Sequence, residues 1–129
     1  MIVLDASVMI AILDADDTHF AAARELFRAH TADRLVAHRL TMAETLIQAI
    51  RAQRGHAVAA ALAELGIEPH GELDDPLELA ELRERTGLKL PDSCVLKTAL
   101  RERATLATFD ARLVASARAL GVAVVPEPS

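Results

Sequence analysis

The apolar positions of this chain fall into two periods that alternate along its length. Met1–Leu4 is a short apolar run that closes on Asp5 and predicts a buried strand. Ser7 has the place of an N-cap for a short helix reaching about Leu13. Asp14, Asp16 and Asp17 form an acidic loop, and Thr18 is positioned to cap the next helix. In that helix Phe20, Ala23, Leu26 and Phe27 share one face. Leu35–Ala37 predicts a second strand. Thr41 and Glu44 have capping-box spacing before a helix whose apolar face is Ala43, Leu46, Ile47 and Ile50. Val58, Ala61, Leu62 and Leu65 repeat the helical period, and Gly66 ends it. Ile67–His70 predicts a short strand. Asp75-Pro76 pairs an N-cap with proline at the first helical position, opening a helix that runs to about Thr86 and closes at Gly87. Pro91 starts the next helix, to about Glu102. Thr105–Phe109 predicts a strand, Ala111–Leu120 a helix stopped by Gly121, Val122–Val125 a last strand, and Pro126–Ser129 a tail.

Strands that alternate with helices in this way predict an α/β fold with a mainly parallel central sheet, flanked by helices on both faces. No linker rich in Pro, Gly or Ser divides the 129 residues, so residues 1–129 are expected to form a single domain. Hydrophobic residues make up 52%, enough for a core and against intrinsic disorder. Cys94 is the only cysteine, which excludes an internal disulfide framework and a Cys-based zinc knuckle. A reducing, cytoplasmic setting follows. The most apolar stretch, Met1–Leu13, carries Asp5 and is too short to span a bilayer. No basic region precedes it, so no secretory signal is expected.

Charge and aromatic content narrow the function. The net charge is −5, from 14 basic and 19 acidic residues, which disfavours binding nucleic acid by bulk electrostatics. Contact with phosphate through bound cations stays open, as does a basic partner segment. Tyr and Trp are absent and Phe occurs three times, which speaks against a sheet that stacks bases on aromatic rings. The five histidines, His19, His30, His38, His56 and His70, are scattered, with no pair at zinc-ligand spacing.

Four carboxylates stand out because of where the elements place them. Sites in open α/β sheets lie beyond the carboxyl ends of the strands. Asp5 follows the first strand and Asp110 follows Thr105–Phe109. Asp92 lies in the first turn after Pro91, on the face shared with Val95, Leu96 and Ala99. Glu44 lies in the first turn of its helix, beside Ala43 and Ile47. Each has a purely structural alternative. Asp92 complements a helix N-terminus, Glu44 is the far partner of a capping box, and Asp110 is an N-cap. As a set, carboxylates about 5 Å apart repel by roughly 3 kcal/mol per pair at an effective dielectric near 20. A cation relieves that repulsion, and hard oxygen ligands suit Mg²⁺ or Mn²⁺.

These residues resemble a PIN-domain protein, and in particular the VapC toxins of bacterial toxin–antitoxin pairs. The resemblance spans essentially the whole chain. It rests on Ile2-Val3-Leu4-Asp5-Ala6-Ser7, Thr41-Met42-Ala43-Glu44, Leu90-Pro91-Asp92-Ser93-Cys94-Val95-Leu96, and Thr108-Phe109-Asp110 before a helix ending at Gly121. It implies a PIN-like fold and a metal-dependent endoribonuclease with Mg²⁺ or Mn²⁺ held by Asp5, Glu44, Asp92 and Asp110. By the family's chemistry a metal-activated water would hydrolyse an RNA phosphodiester, leaving a 5′-phosphate and a 3′-hydroxyl. The resemblance further implies a homodimer and a cognate, VapB-like antitoxin. Ser7 and Thr108 match family positions where a hydroxyl supports the metal ligands. Phe109 departs from the pattern, standing where many relatives have a polar residue. Cys94 and Lys97 lie in a helix that is often small and neutral in relatives; Lys97 is within reach of a phosphate or simply solvated.

Two other readings fit part of the pattern. A catalytically silent PIN-like module that binds a partner would share the fold. A receiver-type signalling domain would share the length and an acidic pocket, but it needs an Asp after the middle strand and a Lys after the last. Here the middle strands end in Ala37-His38 and His70, and Val122–Val125 runs into Pro126.

Overall fold

The computed structural model of the chain describes residues 1–71 and 74–127. The last two positions of the expected tail, Pro128 and Ser129, lie outside the described residues. In order the elements are β1 (Ile2–Leu4), α1 (Ala6–Leu13), α2 (Phe20–Ala29), β2 (Leu35–His38), α3 (Arg39–Arg51) and α4 (Gly55–Glu64). They continue with β3 (Ile67–His70), α5 (Pro76–Thr86), α6 (Leu90–Glu102), β4 (Thr105–Ala107), α7 (Ala111–Ala119) and β5 (Val124–Val125). The expected alternation of strands and helices is therefore present.

The five strands form one sheet in the order β3-β2-β1-β4-β5, and every pairing is parallel. Side-chain alternation on these short apolar strands feeds two cores. Val3, Val36 and Leu106 point to the layer of α5, α6 and α7, where they meet Leu82, Leu96, Leu113 and Ala117. Ile2, Leu4, Leu35, Ala37 and Ala107 point to the layer of α1–α4, where they meet Met9, Leu26, Val58 and Leu62. Both faces of the sheet are thus covered, as a parallel sheet requires.

The strand order decides where a site can form. From β1 the chain winds outward through β2 and β3, then crosses to β4 on the other side of β1. The β1/β4 boundary is therefore the topological switch point, where the connections leave a crevice open at the carboxyl ends of the strands. Ala107 pairs with Leu4, so Asp5 and Thr108 are the next residues on two adjacent strands.

Several caps differ from the sequence expectation. The first helix begins at Ala6 with Asp5 as its N-cap residue, and Ser7 lies inside it. The N-cap of α2 is His19 rather than Thr18. Helix α3 starts two residues before Thr41, because the His38 ring accepts the Leu40 N–H at 3.1 Å and caps it. Thr41 is therefore a buried helical residue whose hydroxyl has no partner among the described residues. No capping box with Glu44 forms, and Glu44 falls in the second turn. Other expectations match: the Asp75 carboxylate caps Leu77 and Glu78 of α5, and Gly87 closes that helix at φ 71°.

Candidate metal centre

Asp5 is 5% exposed, a buried carboxylate at the switch point. Its backbone N–H donates to Ala107 across the strand boundary at 2.9 Å. Its Oδ2 accepts two hydroxyls, from Ser7 and from Thr108, each at 2.8 Å. Among the described residues no donor reaches its Oδ1. Thr108 does more than support Asp5. Its oxygen also accepts the Asp110 N–H at 3.0 Å, and the Ser7 oxygen accepts the Phe109 N–H at 3.1 Å. Two hydroxyls therefore tie the loop after β4 to the residue that closes β1.

Asp110 takes the structural role open to it: its Oδ1 caps α7 by accepting from Arg112 at 2.9 Å and Leu113 at 3.2 Å. No described donor reaches Oδ2, so capping leaves that oxygen without a described partner. Asp92 lies in the first turn of α6, half-buried, and Glu44 projects from α3. Neither has a hydrogen bond or ion pair to a described residue.

Electrostatics links Asp92 to Asp5 and Asp110, and Glu44 to Asp92 and Asp5. Glu44 is exposed, yet partial loss of water around its carboxyl raises it above its usual range, and the charges of Asp92 and Asp5 raise it further. Burial likewise raises Asp92, with Asp5 and Asp110 adding to it, while Lys89 and Arg112 pull the other way. Asp92 thus feels Asp5 and Asp110, Glu44 feels Asp92 and Asp5, and Lys89 and Arg112 are the cations that act on Asp92. The donor set is all oxygen and carries no internal counter-charge, so it fits a hard divalent cation. No three of the four bring ligand atoms within 4.8 Å of one another.

One such trio exists among the described residues: His38, Asp74 and Cys94, whose ligand atoms lie within 4.8 Å of one another. Its hydrogen bonds argue against ligation. Because His38 Nδ1 accepts the Leu40 N–H, the ring proton sits on Nε2 and is donated to Asp74 at 3.0 Å. A metal on Nε2 would move that proton to Nδ1, against the Leu40 N–H. Asp74 also accepts from Arg101 at 2.8 Å. The group is a buried latch that joins β2, α6 and the segment before α5. Burial and the neighbouring Asp74 raise the Cys94 thiol, which keeps it protonated.

Sequence reasoning missed Lys89 and Arg112. Their signal was position: one precedes Asp92 by three residues and the other follows Asp110 by two. Lys97 is not at the crevice; it pairs with Glu78 at 2.8 Å. An apolar cleft of about 560 Å³ between α3 and α4, lined by Leu46, Ile50, Arg54 and His56, includes none of the four carboxylates.

The PIN domain family model matches residues 2–119, and the chain belongs to that family. Its structure is similar to that of Mycobacterium tuberculosis VapC20, a sarcin–ricin loop cleaving toxin. The TM-score is 0.66 at 17% identity, covering 90% of this chain and 95% of that one. It is also similar to a toxin–antitoxin complex from Klebsiella pneumoniae, with TM-score 0.65, 24% identity, and 85% and 87% covered. A third similar structure is FitAcB from Neisseria gonorrhoeae, with TM-score 0.69, 19% identity, and 96% of each chain covered. No curated protein sequence matches the chain.

Proposed function

We propose that this PIN domain is a divalent-metal-dependent endoribonuclease and the toxin of a toxin–antitoxin pair. The observation that carries the reading is that buried Asp5, held by Ser7 and Thr108 at the switch point, adds its charge to both Asp92 and Glu44, and Asp110 adds its charge to Asp92. Such crowding costs stability and is useful to a cation site. Asp5, Asp92, Glu44 and Asp110 would hold Mg²⁺ or Mn²⁺, which supplies Lewis-acid polarisation of a phosphodiester and a water of lowered pKa.

The chain's own residues do the positioning. Ser7 and Thr108 hold Oδ2 of Asp5 and leave Oδ1 without a described donor. The α7 cap fixes the orientation of Asp110. Lys89 and Arg112, whose charges act on Asp92, would meet phosphate and balance the acidic net charge locally. No side chain need act as nucleophile. Leu40, Ile47, Ile50, Leu77 and Leu90 are large apolar side chains left exposed, which suits burial against a second copy and an antitoxin. No described helix is long and apolar enough to cross a membrane.

The test is cleavage of labelled total RNA by the purified protein, free of antitoxin, in Mg²⁺, in Mn²⁺ and in EDTA. Cuts that need metal support the reading. Folded protein that cuts under neither metal overturns it and leaves a partner-binding PIN module.

A further inference from the structure

Beside the carboxylates lies an aromatic pair that the four-acid centre does not use. The rings of His19 and Phe109 stack, with centroids 4.5 Å apart and an interplanar angle of 6°. Phe109 sits between Thr108 and Asp110, and the Ser7 oxygen accepts its backbone N–H. Its ring packs on the core of the α1–α4 layer, so it is a fixed base for whatever lies on it. His19 is exposed, and the Asp17 carboxylate accepts its backbone N–H at 2.8 Å. The His19 ring therefore has one face on Phe109, the residue before Asp110, while its backbone is held and the residue itself is exposed. A lone surface histidine has no need of such support. The neighbouring Asp14 and Asp17 each accept an amide of their own loop, at 2.9 and 2.8 Å, so this is not a cationic patch.

We infer that His19, backed by Phe109, is a stacking shelf for one unpaired base of the RNA substrate, beside the phosphodiester presented to the carboxylates. The inference rests on the ribonuclease reading and adds how the substrate is held. Histidine and phenylalanine planes are suitable stacking partners for splayed bases of single-stranded RNA, and stacking tolerates an acidic surface better than charge pairing does. His19 is a binding and positioning residue; it does not touch the reacting phosphate.

The test compares wild type, His19→Ala and His19→Phe for binding of labelled single-stranded RNA 12-mers of mixed sequence, by fluorescence anisotropy. Mn²⁺ affinity is measured alongside. Loss of the shelf is expected to weaken RNA binding about five-fold or more in His19→Ala. His19→Phe restores it, and Mn²⁺ affinity is the same in all three. An abasic RNA of the same length is expected to bind wild type and His19→Ala equally. Unchanged RNA binding by His19→Ala, or no rescue by His19→Phe, overturns the shelf and leaves the nuclease reading intact. Wild type that neither binds nor cuts RNA overturns the nuclease reading itself, and the shelf with it.

Discussion

Thr108 donates its hydroxyl to Asp5 Oδ2 at 2.8 Å, joining residues 103 positions apart at the ends of neighbouring strands. The same oxygen accepts the Asp110 N–H, so one buried hydroxyl sets the spacing of two of the four carboxylates. Thr108→Val keeps the shape and removes both bonds. It is expected to cost about 1–3 kcal/mol of stability. Mn²⁺ affinity should fall roughly tenfold or more, as for other groups that orient metal ligands. Thr108→Ser should restore most of each. Thermal unfolding and Mn²⁺ titration of the three proteins check it.

The crowded acids make stability and site oppose each other. Glu44 and Asp92 have raised carboxyls, from burial first and then from neighbouring charge. A group that binds its proton more tightly when folded stabilises the fold as pH falls through the raised value, and costs stability as pH rises through it. In EDTA at pH 7, Asp92→Asn is therefore expected to be more stable than wild type. The gain is about 1 kcal/mol or a few degrees in Tm, kept small by solvent screening at half-buried Asp92. The gain should shrink as pH is lowered toward the ordinary carboxylate range. Glu102, lowered chiefly by its hydrogen bond from His70, contributes the opposite slope, so the comparison is made as a difference between the two proteins at each pH. A gain that grows on acidification contradicts the repulsion.

Much of this was legible in the sequence because strands ending in Asp5 and Thr108-Phe109-Asp110 are fixed by local apolar runs. The switch point then follows from the strand order, which topology rules constrain. What was not legible depended on contacts between distant segments. Thr41 and Glu44 have capping-box spacing, but the His38 ring caps α3 first and shifts its start. Ser7 looks like a cap and instead donates to Asp5 from inside α1. Lys97 and Arg112 differ from the sequence picture for the same reason: Glu78, on a separate helix, takes Lys97, while Arg112, given no role in the sequence, is a cation that acts on Asp92.

Gly71 has φ +80°, and a Cβ there would lie 2.7 Å from His38 Cδ2. Gly71→Ala is expected to destabilise by more than about 1 kcal/mol, since both backbone and ring must shift. Gly66 has the same φ with nothing within 4 Å of its Cβ position, so Gly66→Ala isolates the backbone cost. Urea unfolding should rank Gly71→Ala as the less stable; equal losses would mean the His38 contact carries no energy.

Cys94 is 2% exposed, and burial raises its thiol. In native protein it should resist a thiol reagent such as dithionitrobenzoate and react fully once unfolded in urea. Rapid reaction in the native state would show that the layer over α6 opens readily.

The most direct measurement is Mn²⁺ titration at pH 7, followed by electron paramagnetic resonance, of wild type, Asp5→Asn, Asp92→Asn and Cys94→Ser. A centre built from Asp5, Glu44, Asp92 and Asp110 predicts saturable binding that weakens about tenfold or more in both Asp variants and is unchanged in Cys94→Ser. Binding that survives both Asp substitutions, or that is lost in Cys94→Ser, would contradict it and move the metal to the buried His38–Asp74–Cys94 group.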